Sequence, residues 1–424
     1  MKRLNYLLII VIASTLAGCG LANDNGELTG VQGRRKWFHP QPFGTVYIPT
    51  GTYHTGQSDQ DVQSAQIGQN RQVSIPAFYM DDTEISNNEY RQFVYHVVDS
   101  LMRQQLSFMD AKNPDFIDYQ KKFTQADMDQ VVASELYYQE ADKYFKRTQW
   151  DVRNIKYKWW WEDVVAAAAY NERARRWDDK GRKDFIREET FSIYPDTLVW
   201  ARDFTYSFND PMTSVYFWHP KYDDYPVVGV NWNQARAFCN WRTEHINNFY
   251  RSLDPNEPTV TDFRLPTEYE FEYAARGGRD GNPYPWGGPY VRNTKGCFLA
   301  NFKPGRGNYI DDGGIYTVKV NAYFPNDYGL YCMSGNLAEW TSTSFAESGQ
   351  YIVNDLSPEY RTMAKYEEDD TYKRKMTRGG SWKDIAYYIQ NGTRSQYEYQ
   401  DSAKAFVGFR CALTYIGRSN KDKD

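Results

Sequence analysis

Between about Ser100 and Tyr225 the chain changes character, and that interruption limits its architecture more than any single motif does. From about residue 45 to 100, and again from Tyr225 to Cys411, the sequence is turn-heavy and rich in Gly and Asn. Between them it is charged, tyrosine-rich and poor in glycine. At roughly 150 residues per domain the chain could hold two or three, but the return to one style after roughly 120 residues reads most simply as one domain split by an insertion. No internal repeat is visible. Thr45–Ile48 and Val73–Met80 are strand-like, and Ile85–Asp99 is predicted as a helix with Tyr90, Phe93, Val94 and Val97 on one face. Within the insertion, Ala126–Phe145 and Tyr157–Arg176 are predicted as helices, the second holding Trp159-Trp160-Trp161 and the Ala166–Ala169 run.

Charge removes one class of function. The chain carries 50 Lys+Arg against 55 Asp+Glu, a formal charge of −5, whereas binding to phosphate backbones needs a clustered positive field; nucleic acid is therefore not expected as a partner. Five cysteines are too few for a disulfide-dense scaffold. Aromatic residues make up 17% of the chain, mostly Tyr, whose polar tip suits interfaces as well as cores.

Lys2 and Arg3 precede the mostly apolar run Leu7–Leu16. This run is too short for a bilayer, which needs about 20 residues, but has the length of a signal-peptide core. It ends in Leu16-Ala17-Gly18-Cys19, which resembles a bacterial lipobox. Residues 1–18 then read as a lipoprotein signal peptide and Cys19 as an acylated anchor, palmitate-type chains holding the protein on a membrane without a spanning helix. Gly20 stands where an Asp commonly means retention at the inner membrane, so the expected location is the periplasmic face of the outer membrane. Residues 19–44 read as a tether, 45–416 as the split domain with its insertion at about 100–225, and 417–424 as a polar tail.

The second flank carries the most specific signals. Pro226-Val227-Val228-Gly229-Val230-Asn231-Trp232 leads into Gln234-Ala235-Arg236-Ala237-Phe238-Cys239-Asn240-Trp241. Arg264-Leu265-Pro266-Thr267-Glu268-Tyr269-Glu270 opens a helix in which Thr267 and Glu270 form a capping box and Gly277 is the stop. Then come Tyr328-Gly329-Leu330, Ser334-Gly335-Asn336-Leu337-Ala338-Glu339-Trp340, Arg378-Gly379-Gly380-Ser381-Trp382 and Gly408-Phe409-Arg410-Cys411. In this order the segments resemble the formylglycine-generating enzyme (sulfatase-modifying factor) family. The resemblance covers roughly 45–100 and 225–413. It implies an α+β fold: an irregular, loop-rich, C-type-lectin-related domain, here with a helical insertion. The lipobox, Gly26–Gly30, Lys36–Pro40, the insertion and Ser192–Thr197 further resemble one branch, the GldK/PorK lipoproteins of the type IX secretion and gliding-motility machinery.

The family's oxidase chemistry uses two cysteines shortly after Gly-Gly-Ser to bind copper. The matching positions are Asp384 and Ile389, and Lys383–Arg410 contains no cysteine. Copper(I) requires soft thiolates, so the expectation is a pseudoenzyme with no copper and no catalytic residues. The five histidines show no metal-ligand spacing. Glu268, Glu270 and Glu272 read as helix-start carboxylates rather than an acid/base set. The resemblance implies a disulfide between Cys239 and Cys411, while Cys297 and Cys332 are expected to be free. Calcium is the one ion it implies, held by Asn301, Phe302, Asp312 and Gly314, with a weaker second set of Gly335, Leu337 and Glu339, where Cys332 takes the place of an oxygen donor.

The insertion is the expected functional surface. Three consecutive tryptophans on a helix cannot all face inward. Trp159, Trp160 and Trp161, with Tyr137 and Tyr138, are therefore candidate partner contacts, since aromatic residues dominate interface hot spots. The branch resemblance implies a non-catalytic structural subunit that self-associates into a ring with a periplasmic GldN/PorN-type partner. The alternative is a glycan- or peptidoglycan-binding module using the former catalytic cleft around Asp384 and Arg394.

Overall fold

In a computed structural model of the chain, residues 39–417 are described apart from 57–67, 69, 110–116, 175–180, 204–209, 256, 306–307, 309, 311–313, 364–367 and 395. The predicted signal peptide, the expected acylation position Cys19 and most of the expected tether and tail lie outside the described residues.

The first flank builds strands β1 (Thr45–Ile48), β2 (Gly51–Thr55), β3 (Arg71–Ile75) and β4 (Phe78–Asp81), then helix α1 (Asn87–Gln105). Helix α1 starts at a capping box between Ser86 and Glu89 and buries Tyr90, Phe93, Val94 and Val97, as its periodicity predicts. The insertion follows with α2 (Gln125–Val132), β5 (Lys156–Glu162), α3 (Val164–Ala174) and β6 (Ile186–Ser192). The second flank contributes α4 (Trp232–Leu253), β7 (Phe263–Arg264), α5 (Glu268–Arg276), β8 (Ala338–Ser344), β9 (Arg374–Arg378), β10 (Tyr397–Tyr399), β11 (Val407–Gly408) and β12 (Ala412–Thr414). Helix α5 has the predicted cap, Thr267 with Glu270, and ends at Gly277 in the left-handed region, φ 59°.

One four-stranded antiparallel sheet has the order β1-β4-β12-β7, so the last strand slots between strands from both flanks. A second, mixed sheet runs β10-β9-β8-β11, with β11 parallel to β8. The flanks share one core: Tyr90 of α1 stacks on Phe238 of α4 at 5.7 Å, and Trp340 and Phe409 belong to the same cluster. Residues 39–416 form a single compact unit, insertion included. The architecture is α+β and loop-rich, as the motifs predict.

The segments of the insertion expected to be helical are only partly so: Gln125–Val132 and Val164–Ala174 are α-helices, and the rest of their described residues are not. Of Ala126–Phe145 the α-helix ends at Val132 and only a single 3₁₀ turn, Glu140–Asp142, follows, while Lys156–Glu162 is a strand paired along its length with β6. The Lys-Tyr-Lys-Trp-Trp-Trp-Glu sequence has few helix formers and many aromatics, which pack well on a pleated surface. Helix begins only where the alanines do, at Val164.

Candidate functional site

The loop after β9 carries the family's oxidase positions. Gly379 and Gly380 both have positive φ, and a Cβ on Gly380 would lie 2.7 Å from the Tyr388 carbonyl. The turn beyond them is closed by Asp384, whose Oδ2 accepts from the Ser381 amide at 2.9 Å and hydroxyl at 2.6 Å. Ile389 has no exposed surface and packs with Tyr284, Ala300 and Phe302. One position is therefore an oxygen donor that caps a turn, and the other is core hydrocarbon. This donor set does not fit copper(I). Arg394 is also committed, donating to both oxygens of Glu268 at 2.9 and 3.2 Å with each side chain only 3% exposed.

The three glutamates of α5 are structural. Beside the Glu268–Arg394 pair, Glu270 accepts from Arg264 at 2.6 Å through both oxygens, and Glu272 bridges Arg276 and Arg378. Burial alone would raise the Glu270 and Glu272 carboxyls, but the adjacent guanidinium charges override it and hold both below the usual range. Glu270 and Glu272 are thus held as ionised, paired carboxylates, and Glu268 is committed to Arg394.

Among the described residues no group of three or more His, Cys, Asp or Glu could hold a metal ion. For the first calcium set, Asn301 is buried and spends its Nδ2 on the Tyr316 carbonyl at 2.6 Å, with Phe302 and Gly314 nearby in the chain, but the one charged ligand, Asp312, lies outside the described residues. In the second set, Gly335 and Leu337 flank Asn336, and Glu339 accepts from Arg410 through both oxygens at 2.7 Å, with neither side chain exposed. A guanidinium thus occupies the carboxylate that a calcium would need. Cys332 beside it stays a thiol, raised first by burial and then by Glu84.

The resemblance implies a disulfide between Cys239 and Cys411; in the structure the two are free, buried thiols with Sγ atoms 3.5 Å apart. Cys297 is a free exposed thiol.

Two of the aromatic contact candidates need correcting. On a strand successive side chains alternate, so Trp159 turns into the main core, 3% exposed, while Trp160 points out, 56% exposed. Tyr137 is buried in the same core, and Trp161 and Tyr138 are half-buried. Trp159 and Tyr137 are thus unavailable to a partner. The residues that hold Trp161 were not singled out from sequence: Trp161 Nε1 donates to Glu189 at 2.7 Å, Glu189 pairs with Arg236 at 3.0 Å, and Arg236 lies 4.8 Å from the Trp232 ring. Trp232 and Arg236 one helical turn apart are a readable signal; Glu189, on another element, gives none.

A family model described as "Sulfatase-modifying factor enzyme 1-like domain" matches residues 38–415. Mouse "Inactive C-alpha-formylglycine-generating enzyme 2" is 29% identical over 274 residues, 58% of this chain and 74% of that protein. Bovine "Formylglycine-generating enzyme" is 27% identical over 383 residues, 88% of this chain and 76% of that one. The solved structure of PvdO from Pseudomonas aeruginosa is 15% identical with a TM-score of 0.46, covering 88% of this chain and 94% of that one. Its relatives thus include both active and inactive members, and the chain belongs to the sulfatase-modifying factor (formylglycine-generating enzyme) family.

Proposed function

We propose that this protein is a non-catalytic structural lipoprotein of the type IX secretion and gliding-motility machinery. In this reading Cys19 anchors it at the periplasmic face of the outer membrane, and copies assemble into a ring with a GldN/PorN-type partner. The observation that carries the non-catalytic part is local: a turn-capping Asp384 and a fully buried Ile389 stand where the family chemistry needs two thiolates. The existence of an inactive relative shows that the fold outlives the activity. Assembly is supported by the aromatic insertion, which keeps Trp160, Tyr144 and Phe145 exposed at 56%, 65% and 87%. Glycan binding at the former cleft is less favoured, because Ile389 and the Glu268–Arg394 pair fill the positions that would line it.

The test is gentle detergent extraction from native envelopes, then affinity purification, sizing and mass spectrometry. A megadalton-scale species with a stoichiometric second periplasmic protein is expected. A monomer without a protein partner would refute the assembly.

A further inference from the structure

Two cavities open where the insertion meets the second flank, and Asp401 lines both. The larger, about 540 Å³, is bounded by Asp196 and Arg202 on one side and by Lys373 and Lys404 on the other. The second, about 400 Å³, has Trp161, Glu189 and Phe191 of the β5–β6 hairpin on one wall and Asn233, Arg236 and Asp401 facing them. Both volumes fall within the range of small-molecule sites, roughly 300–1,000 Å³.

The walls of the second cavity are set before any ligand arrives. Trp161 Nε1 donates to Glu189 Oε1 at 2.7 Å, Arg236 Nη1 donates to Glu189 Oε2 at 3.0 Å, and Asn233 Nδ2 donates to Asp401 Oδ1 at 3.1 Å. A site whose rotamers are already locked costs less to order on binding. Its chemistry then selects the ligand. Four acids line it, Asp163, Glu188, Glu189 and Asp401, against two bases, Arg187 and Arg236, which disfavours an anion. An apolar ligand would strip water from these groups without replacing its hydrogen bonds. A neutral ring with a flat apolar face and a hydroxyl edge satisfies both constraints: the face lies on the half-buried Trp161 indole that lines the cavity and the hydroxyls meet the Asp401 carboxylate and the Asn233 amide, while Arg236 stays committed to Glu189 and to the Trp161 and Trp232 rings.

We propose that this cavity binds a neutral saccharide, with Trp161 as the stacking face and Asn233 and Asp401 as hydroxyl partners. The site is distinct from the family's catalytic position and does not depend on the assembly reading.

The experiment titrates the mature, detergent-solubilised protein with two probes, a β-1,4-linked N-acetylglucosamine trimer and maltotriose, followed by calorimetry and ligand-observed NMR. Saturable binding of at least one is expected, the first marking a wall-type amino sugar and the second a plain glucan. Trp161→Ala should weaken it at least about tenfold, equal to about 1.4 kcal/mol. Asp401→Asn should weaken it too, and Trp160→Ala, on the opposite face of the same strand, should not. Trp161→Phe keeps a stacking ring and should retain most of the binding, which separates loss of the face from loss of fold. No binding of either trimer up to roughly 10 mM, an affinity too weak to matter, overturns the proposal. So does binding that survives both Trp161→Ala and Asp401→Asn. A monomer that binds a trimer refutes the ring and keeps the cavity; a ring that binds neither does the reverse.

Discussion

Arg410 has no exposed surface, and it holds Glu339 through both carboxylate oxygens while donating to the carbonyls of Asp81 and Tyr331. Glu84, also fully buried, sits close enough for Arg410 to oppose the rise in its carboxyl, which burial and then Glu339 push upward. One cation thus serves two buried acids. Removing one partner of such a pair typically costs about 3–5 kcal/mol, since it leaves an uncompensated charge. Arg410→Met should therefore destabilise by about that much, read as a shift of the urea midpoint, and a loss under about 1 kcal/mol would contradict the geometry. Lys375 is the opposite case. It is fully buried, donates to Ser344 and the Thr362 carbonyl, and lies 4.2 Å from the Trp232 ring centroid. Burial, aided by Arg236 and Arg361, pushes its ammonium down to about 7 from 10.5. Between those values the unfolded chain holds a proton that the folded one has released. Stability therefore rises with pH across that window and is lost again as pH falls toward 7. Two pH units within it correspond to about 3 kcal/mol. Urea midpoints of wild type and Lys375→Met, compared over that range, should differ in slope, the variant lacking this rise; parallel profiles would refute the low value.

The β5–β6 hairpin shows what an element can hide from sequence. Helix α5 was legible because its signals are local: Thr267 and Glu270 are three residues apart and Gly277 stops the chain. Helix α1 was legible because its apolar period is clean. Strand β5 was not, because Tyr157 to Trp161 is aromatic at nearly every position and so shows neither a period of two nor one of 3.6. What decides it is the pairing with β6, which lies beyond any local window. The same holds for the sites. The absence of thiolates at 384 and 389 could be read directly, but the Glu189–Arg236–Trp161 cluster joins residues from three elements, β5, β6 and α4, that are distant in sequence. The alternation of the strand makes a sharp prediction. Trp159→Ala opens a cavity in the main core and should cost about 3–5 kcal/mol. Trp160→Ala, its exposed neighbour, should change stability by no more than about 0.5 kcal/mol. Thermal or urea unfolding of the two variants checks this, and equal effects would mean the hairpin faces the core in another register.

At the scale of the whole molecule, the last strand closes the split domain. Strand β12 pairs with β4 from the first flank and with β7 from the second, so neither flank completes the sheet alone. Cys411 stands directly before β12, and its sulfur touches that of Cys239 in α4 at 3.5 Å, across 172 residues of sequence. A bond needs about 2.05 Å between sulfurs, so the two must draw closer for it to form. In the chain-entropy account a loop this long is stabilised by about 5 kcal/mol when cross-linked, because its open forms are lost from the unfolded ensemble. The proposed periplasmic location is oxidising. Burial and then the neighbouring Cys239 thiol push the Cys411 thiol well up, so the folded reduced protein offers little thiolate to start the exchange. The bond is therefore expected to form during folding, before the sulfurs are sealed in. Protein isolated from native envelopes should have an intact mass lower by two hydrogens than its reduced form. Reduction should lower its urea midpoint, and Cys239→Ser should be insensitive to reductant. Purified, folded, reduced protein should reoxidise slowly in air, and quickly only after partial unfolding. Free thiols at both positions in envelope-derived protein would refute the bridge, and would leave closure of the split domain to the β4-β12-β7 pairing and the shared core alone.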